Sequence, residues 1–361
     1  SSPARRGKTG KLEWLAWARR VARTGERPER FTAGRNMRAI GYQLPTEKSA
    51  LPAVIEIEVP DPEPKPGSVM VQVAYAGLSN FERETSEGRR NRALARLMKK
   101  LPVVSGIEMS GVVIEDSDGL RKGDRVVAYT NILRGPFFHA DYVAVPESKL
   151  TKLPDTVSLA GAASLVGGAL TAIAALERIA DIRQGQEVLI TGATGSVGIT
   201  AVQLAAYLGA RVRAVCHSSQ AEFALAEGAA AAFAYNRGEL PEASNQFDAV
   251  FDTAPSLGFS DSAGFLTARG TYITTMPHLD IPGFLASLLS RRKWGYLMEA
   301  DTDSLRMTRL QELMAVGAFR EVVDSIYPLA EVGDAFAHQL ERGRRGKILI
   351  DFNGSAGEVQ T

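Results

Sequence analysis

A glycine-rich segment, TGATGSVG at 191–198, has the residue types and spacing that most directly indicate chemistry. It follows an apolar run at 187–191 that predicts a strand, and it precedes a helical pattern. In this setting Gly192 permits a tight turn, Gly195 lets the backbone approach a pyrophosphate, and Gly198 lets helix and strand pack closely. Amide groups at the start of the helix complement phosphate charge, so the segment predicts a dinucleotide site. The cofactor-binding residues predicted here are Gly192, Ala193, Thr194, Gly195, Ser196, Val197 and Gly198.

The residues after the second predicted strand decide between NADPH and NADH. NAD sites usually place Asp or Glu there to bind the ribose 2′-hydroxyl, whereas this chain has Cys216, His217, Ser218 and Ser219. Hydroxyl groups and an imidazole meet a 2′-phosphate without the repulsion of a carboxylate. The sequence therefore favours NADPH, with NADH as the less favoured cofactor. The two serines also suit the start of the next helix, and both roles can coexist.

Metal chemistry is disfavoured by the composition. The single cysteine, Cys216, excludes a disulfide within the chain and a zinc site with two or more thiolates. The histidines are far apart and have no local ligand spacing; they are His139, His217, His278 and His338. We therefore predict no metal site, and we expect a reducing, cytoplasmic location.

The charge balance argues against two classes of partner. The chain has 42 Lys and Arg against 41 Asp and Glu, a net charge of +1, so nothing indicates nucleic acid or an anionic membrane surface. Ten Lys and Arg against three acidic residues make 1–36 a basic extension. We predict no membrane-spanning helix, which would need about 18 consecutive apolar residues.

The order of the predicted elements indicates two domains. Short apolar or alternating segments with turn residues between them predict a mostly β domain over 37–155, completed by 311–353. Strand and helix alternate over 156–310, which indicates a parallel sheet covered on both faces. The predicted fold class is α/β, with a β domain beside a doubly wound Rossmann domain. Residues 1–36 are an N-terminal extension and 354–361 a tail.

The glycine motif alone would also suit a short-chain dehydrogenase. That class needs a Tyr-x-x-x-Lys pair, and no tyrosine here is followed by Lys at the fourth position. A β domain preceding the nucleotide fold instead resembles the medium-chain dehydrogenase/reductase superfamily, over Met37 to Phe352. Besides TGATGSVG, the segments that carry the resemblance are SGIEMSGVV at 105–113, GLRKGDRVVAYT at 119–130, ADYVAVPESKLTKLPD at 140–155, GGALTAIAAL at 167–176 and RGKILIDF at 345–352.

The resemblance is closest to the zinc-free quinone oxidoreductase and enoyl reductase branch. Ile107 stands where a zinc alcohol dehydrogenase has a histidine ligand, and Ser79 stands near the position of its catalytic cysteine. The resemblance implies a GroES-like β domain and hydride transfer without a metal. It places Thr171 beside the nicotinamide. It also implies that the ends of later sheet strands line the cofactor crevice, at Thr253, Ala254 and Thr275.

At the 2′-phosphate the resemblance is incomplete. Ser218 and Tyr235 match positions that hold this group in NADPH-using relatives, but Gln220 stands where those relatives commonly have lysine. Arg213 or Arg237 could supply the missing cation, although each is more often a solvated surface charge.

On the substrate side, Asn80 and Tyr129 match polar positions near the nicotinamide and are the predicted catalytic residues. Relatives often have Asn-x-x-Asp, whereas here Arg83 follows Asn80 by three positions. Tyr129 is the candidate proton donor, with bound water as the rival. Alternatively, Tyr129 simply packs at the end of a strand.

Two further segments bear on partners. Residues 87–101 form a predicted helix with six Arg and Lys around an apolar face, either a solvated helix or a surface for an acidic carrier. Residues 281–298 are apolar with a basic break, and they either line the substrate pocket or join the subunits of a homodimer.

These observations predict a zinc-independent, NADPH-preferring reductase of a quinone or a conjugated enone. One alternative is an enoyl-thioester reductase acting on substrates carried by acyl carrier protein or coenzyme A. Another is a non-catalytic NADPH-binding sensor or scaffold. A small-molecule or thioester-linked substrate is expected, and no nucleic acid.

Overall fold

The computed structural model describes residues 36–43, 53–79, 82, 104–130, 135–296, 304–341 and 343–353. Several predictions concern residues outside these ranges. They are the basic extension up to residue 35, Asn80, Arg83, the basic helix at 87–101 and the tail at 354–361.

The described residues form fifteen strands and seven α-helices. The strands are β1 (Asn36–Gln43), β2 (Ala53–Pro60), β3 (Ser68–Gly77), β4 (Glu108–Val113), β5 (Arg125–Tyr129), β6 (Tyr142–Pro146), β7 (Leu150–Lys152), β8 (Glu187–Thr191), β9 (Arg211–Cys216), β10 (Ala231–Ala234), β11 (Phe247–Asp252), β12 (Leu266–Thr274), β13 (Lys293–Tyr296), β14 (Val323–Pro328) and β15 (Lys347–Asp351). The helices are α1 (Leu159–Ile173), α2 (Ser196–Tyr207), α3 (Ala221–Ala226), α4 (Phe259–Ser262), α5 (Ile281–Ser287), α6 (Ser304–Ala315) and α7 (Val332–Gln339).

The first layer is a seven-stranded, mainly antiparallel sheet of the GroES-like domain. Its order is β14-β15-β3-β4-β5-β7, and β6 also pairs with β3. The strands β14 and β15 come from the C-terminal part of the chain and join it through β3. The predicted boundary between 310 and 311 falls inside α6. Apolar side chains on alternate positions of these strands, Val69, Val71 and Val73 among them, pack into one buried cluster.

The second layer is a six-stranded sheet in which every pair is parallel. Its order is β10-β9-β8-β11-β12-β13. Of the strands in this sheet, β8 comes first along the chain, and it therefore lies in the middle, with β9 and β11 on either side. In such a doubly wound sheet the chain leaves β8 and β11 in opposite directions, which opens a crevice at their carboxyl ends. This arrangement places Thr191 opposite Asp252 at the mouth of the crevice.

Helix α1 packs against strands of the first sheet and against α2, which in turn contacts β8 and β9 of the second sheet. It continues into a π-helical turn, so that Leu159–Ile179 forms one apolar helix of 21 residues. By length and composition alone this helix could cross a membrane, although the sequence predicted no membrane span. Since 83% of its most apolar stretch is buried inside the protein, the apolar character of the helix belongs to the core.

Candidate active site

The three glycines of the loop between β8 and α2 differ in their surroundings. Gly192 has φ +61°, and a Cβ there would lie 2.8 Å from both Ala254 Cβ and Thr253 Oγ1. A Cβ at Gly198 would lie 2.1 Å from the carbonyl oxygen of Gly192. A Cβ at Gly195 would meet only that same oxygen, at 3.5 Å. The fold itself thus requires Gly192 and Gly198, whereas Gly195 leaves open space in front of the loop.

Helix α2 begins at Ser196, with Gly195 as its N-cap residue. Amide groups in the first turn of a helix have no partner within the helix, so they point toward whatever lies in front of the loop. The Ser196 hydroxyl is buried and has no hydrogen-bond partner among the described residues. A phosphate oxygen would satisfy both the hydroxyl and the amides. The residues present therefore fit the pyrophosphate of a dinucleotide.

Backbone hydrogen bonds fix the loop on three sides. The amide of Ala193 donates to the carbonyl of Val215 at the end of β9 (3.1 Å). The Thr253 hydroxyl donates to the carbonyl of Thr191 (2.6 Å). The amide of Gly346 donates to the carbonyl of Thr194 (2.8 Å), which brings the segment before β15 against the loop. The loop is thus preorganised by parts of the chain that lie far apart in sequence.

The polar residues after β9 come together around an asparagine that the sequence analysis did not identify. Ser218 donates its amide to Asn236 Oδ1 (2.8 Å) and accepts at Oγ from Asn236 Nδ2 (3.0 Å). His217 Nδ1 lies 2.9 Å from the Ser219 hydroxyl. The Tyr235 ring stands edge-on to the His217 imidazole, with centroids 5.8 Å apart. These side chains form one polar surface at the end of β9.

Of the two arginines proposed from sequence as cations for the 2′-phosphate, Arg213 and Arg237, the structure argues against Arg213. Arg213 Nε lies 3.2 Å from Glu187 Oε2, an ion pair at the start of β8. Because residue 213 lies in the middle of β9, its side chain is held away from the carboxyl end of the strand. Arg237 is exposed in the turn that follows Tyr235.

Gly167 on α1 brings together Thr171, Glu108 and Tyr129. The Thr171 hydroxyl donates to the Gly167 carbonyl (2.7 Å), and the Gly167 amide donates to Glu108 Oε2 (3.1 Å). A Cβ at Gly167 would lie 3.2 Å from Tyr129 Cε2. Tyr129 is only 5% exposed and belongs to the apolar core next to α1. The structure thus brings Tyr129 and Thr171 to the same glycine, although 42 positions separate them in sequence.

The residues predicted at the ends of the later strands lie around the crevice. Thr253 and Ala254 follow β11 and are half-buried against Gly192. Thr275 follows β12, and its amide lies 3.4 Å from the carbonyl of Asp252. Asp252 itself was missed: its carboxylate accepts from the Thr191 hydroxyl, and burial raises its pKa against the effect of that hydrogen bond.

A buried carboxylate beside Ser79 was also missed. Glu82 accepts from the Ser79 amide (2.9 Å) and hydroxyl, and from the Gly106 amide (3.2 Å). Burial raises its pKa, while the hydrogen bonds from Ser79 oppose the shift. Three positions after Asn80, where an acid was expected, this chain has Arg83. In the structure the paired positions three apart are Ser79 and Glu82.

Glu108 and Lys347 form a buried ion pair at the centre of the GroES-like sheet. Their side chains are 1% and 7% exposed. Glu108 also accepts from the Gly167 amide, so the pair links β4, β15 and α1. Buried charges persist only when such partners compensate for lost hydration.

His139 is fully buried beside this pair. Its Nε2 faces the carbonyl oxygen of Gly77 (3.1 Å), which only accepts, so Nε2 carries the proton. Nδ1 then accepts from the Ser105 hydroxyl (2.7 Å). Burial lowers the pKa of His139 to about 4, so the ring is neutral at pH 7. Among the described residues, no three His, Cys, Asp or Glu side chains are arranged to hold a metal ion.

Two family descriptions match the chain. Residues 65–155 match "Alcohol dehydrogenase GroES-like domain", and residues 223–350 match "Zinc-binding dehydrogenase". The chain is 29% identical over 364 residues to quinone oxidoreductase-like protein 2 of Bos taurus, covering 95% of this chain and 98% of that protein. It is 27% identical over 335 residues to the chloroplast envelope quinone oxidoreductase homolog of Arabidopsis thaliana, covering 88% and 99%.

Solved structures share the fold. The quinone oxidoreductase of Coxiella burnetii superposes with a TM-score of 0.76 at 24% identity, covering 88% of this chain and 99% of that one. A mycobacterial protein complexed with NADPH superposes with a TM-score of 0.70 at 22% identity, covering 87% and 99%. Together with the GroES-like sheet, the doubly wound sheet and the glycine loop, the two family matches and the quinone oxidoreductase-like relatives place the chain in the quinone oxidoreductase branch of the medium-chain dehydrogenase/reductase superfamily, to which it belongs.

Proposed function

We propose that this oxidoreductase uses NADPH to reduce a quinone or a conjugated enone, without a metal ion. The observation that carries the proposal is the open loop at Gly195 in front of helix α2, with the buried, unpartnered hydroxyl of Ser196 beside it. A diphosphate bridge would fill this space and accept from that hydroxyl. Asp and Glu are absent from the end of β9, which supports NADPH over NADH.

The donor groups present do not fit a catalytic zinc ion. Ile107 is apolar and buried, and the hydroxyl of Ser79 is hydrogen-bonded to Glu82. Glu108 is committed to the ammonium group of Lys347, whose positive charge would repel a cation. We therefore derive no step through a metal, despite the description of the family that matches residues 223–350.

When bound, NADPH supplies the hydride, and the chain positions the reactants. The loop amides and Ser196 would hold the diphosphate, and Thr171 and Thr275 would lie beside the nicotinamide. An electron-poor carbon must come within about 3–3.5 Å of the hydride donor, and the oxygen that becomes anionic needs a donor. Tyr129 is the proposed donor, with water as its rival.

The substrate's chemistry follows from what this site can and cannot do. Without a metal to polarise a carbonyl, the site is best suited to a substrate that conjugation already activates, as in a quinone or an enone. A small-molecule substrate agrees with the relatives, which are named as quinone oxidoreductases. The cytoplasmic location and the acidic-carrier surface at 87–101 stay predictions.

Mixing the purified chain with NADPH and a panel of quinones, enones and enoyl thioesters tests the proposal. We expect oxidation of NADPH, followed by its absorbance at 340 nm, with quinones or enones, and the same rate after treatment with a metal chelator. Oxidation with enoyl thioesters alone would favour the biosynthetic alternative. Tight binding of NADPH without oxidation across the panel would favour a sensor or scaffold.

A further inference from the structure

The loop after β9 contains a buried glutamine where a cation is expected. Gln220 uses both ends of its side chain. Its Nε2 donates to the carbonyl of Gly343 (2.7 Å), and its Oε1 accepts from Arg345 Nε (2.5 Å). The segment before β15 is therefore tied to the loop after β9 across 125 positions of sequence. Both polar atoms of the Gln220 side chain are thus already hydrogen-bonded. One of them holds the side chain of Arg345, which carries a positive charge.

Arg345 is held on three sides and open on another. Its guanidinium carbon lies 4.9 Å from the centroid of the Phe223 ring, and its backbone amide donates to Asp324 Oδ1 (2.8 Å). Only Nε is engaged by Gln220; Nη1 and Nη2 have no hydrogen-bond partner within the described ranges. The residue as a whole is exposed, so these two nitrogens are available to an anion.

The position of Arg345 next to the cofactor loop follows from its neighbour. Gly346 bridges Gly195, and its amide donates to the Thr194 carbonyl. Arg345 therefore leaves the backbone beside the diphosphate loop, while its side chain reaches the turn that begins at Ser218. That turn follows β9, where the adenosine ribose binds in a doubly wound fold.

We propose that Arg345, positioned by Gln220 and Phe223, binds the 2′-phosphate of NADPH and replaces the lysine that this chain lacks. The inference rests on the proposed use of NADPH. Ser218 completes the site, because its oxygen accepts from Asn236 and its own proton stays available to a phosphate oxygen. A planar guanidinium with two free nitrogens suits phosphate geometry better than an ammonium group does.

The other arginines near this strand are less suited. Arg213 is paired with Glu187. Arg237 is exposed at the end of the Tyr235–Arg237 turn, and no described side chain holds its guanidinium in place. Arg237→Gln is therefore a matched control for Arg345→Gln: both remove one exposed positive charge near the same loop.

Calorimetric titration with adenosine 2′,5′-bisphosphate and with 5′-AMP separates the 2′-phosphate from the rest of the nucleotide. We expect Arg345→Gln to weaken binding of the bisphosphate about tenfold or more and binding of 5′-AMP less than twofold. Gln220→Ala should give a smaller loss in the same direction, with little further loss in the double variant. Arg237→Gln should leave both affinities close to those of the unmodified chain.

The outcomes distinguish this inference from the proposed function. Equal weakening of both ligands by Arg345→Gln, or a loss with Arg237→Gln instead, would overturn the role of Arg345 and leave the NADPH site standing. Equal affinity of the unmodified chain for NADPH and NADH would overturn any 2′-phosphate site. No binding of either reduced nucleotide would overturn the proposed function as well. Thermal unfolding of each variant without ligand checks that the fold is retained.

Discussion

His139 and Glu82 are buried titratable side chains whose pKa values shift in opposite directions. Burial lowers the pKa of His139 to about 4 and raises the pKa of Glu82. Each shift disfavours the charged form, because burial removes the water that would hydrate the charge. Glu108, by contrast, faces the ammonium group of Lys347. The same small region therefore holds one compensated pair of charges, a neutral histidine and a glutamate whose ionised form is disfavoured by burial.

The His139 shift predicts a loss of stability in mild acid. Between about pH 6.5 and pH 4 the unfolded chain binds a proton at this histidine that the folded chain does not. Consequently, the free energy of unfolding falls as the pH falls through this window, by up to about 3 kcal/mol. Denaturant titrations at several pH values measure this slope, and His139→Gln should reduce it.

The pH dependence of stability must be compared between variants, because Glu82 changes the free energy of unfolding with pH in the direction opposite to His139. Its raised pKa lets the folded chain keep a proton that the unfolded chain loses, so its contribution to stability falls as the pH rises. His217→Gln, at a half-exposed histidine, serves as the control and should keep the slope of the unmodified protein. If the unfolding free energy of His139→Gln also falls with pH as steeply as that of the unmodified protein, His139 does not cause the loss of stability in acid.

Two glycines at the junction of β8 and α2 have different predicted roles: we expect Gly198 to be required for folding and Gly195 for nucleotide binding. Gly198→Ala would place a methyl group 2.1 Å from the Gly192 carbonyl and 2.8 Å from Ala193 Cα, both backbone atoms. We expect it to destabilise the fold by about 1–3 kcal/mol, because the helix must move away from the strand. Gly195→Ala meets only an oxygen at 3.5 Å, at an ordinary φ of −73°.

Gly195→Ala should therefore fold normally but bind NADPH and NADH at least about tenfold more weakly, since its methyl group occupies the space that the diphosphate needs. Thermal unfolding without ligand and fluorescence titration with each nucleotide measure the two effects. Undiminished nucleotide affinity in Gly195→Ala would mean that the diphosphate does not approach this part of the loop.

Elements with a strong periodic pattern were predicted well from sequence, and elements defined by distant contacts were not. The β8-α2-β9 unit follows from its apolar spacing and glycines, and the structure confirms it. The short strands β10, β13 and β14 were missed, because four to six residues at a sheet edge carry little periodicity.

The site residues divide in the same way. The glycines of the loop could be predicted because their neighbours in space are also neighbours in sequence. Glu82 could not, since only burial distinguishes it from the exposed glutamates. Arg345 contacts Gln220 across 125 positions, and a single sequence carries no signal for such a pair.

For the whole molecule, the two sheets share one central helix. Helix α1 contacts β4 and β5 of the first sheet and packs on α2, which covers the second. Glu108 reinforces this arrangement by accepting from Gly167 of α1 while pairing with Lys347 of β15. The two sheets are thereby held by one rigid element, which suits a reaction that tolerates little error in the distance of hydride transfer.

The edge of the second sheet formed by β13 has an exposed apolar surface beside it. Leu285 on α5 is 58% exposed, and Leu289 just after it is 95% exposed. Beside them, β13 pairs with β12 and with no other strand in the described part of the chain. An unpaired edge can pair with another chain, and exposed apolar patches often mark protein–protein interfaces. Our prediction of a homodimer is therefore best placed at this edge.

Sedimentation velocity at micromolar concentrations tests this interface. The unmodified protein should sediment as a dimer, and Leu285→Asp combined with Leu289→Asp should shift it to monomer, because carboxylates buried without partners at an interface are costly. Leu305→Asp is the matched control: Leu305 is 79% exposed on α6, which contacts α1 and β7, and its substitution should leave the dimer intact. A monomeric unmodified chain, or a dimer that survives the double substitution, would show that this edge does not join two subunits.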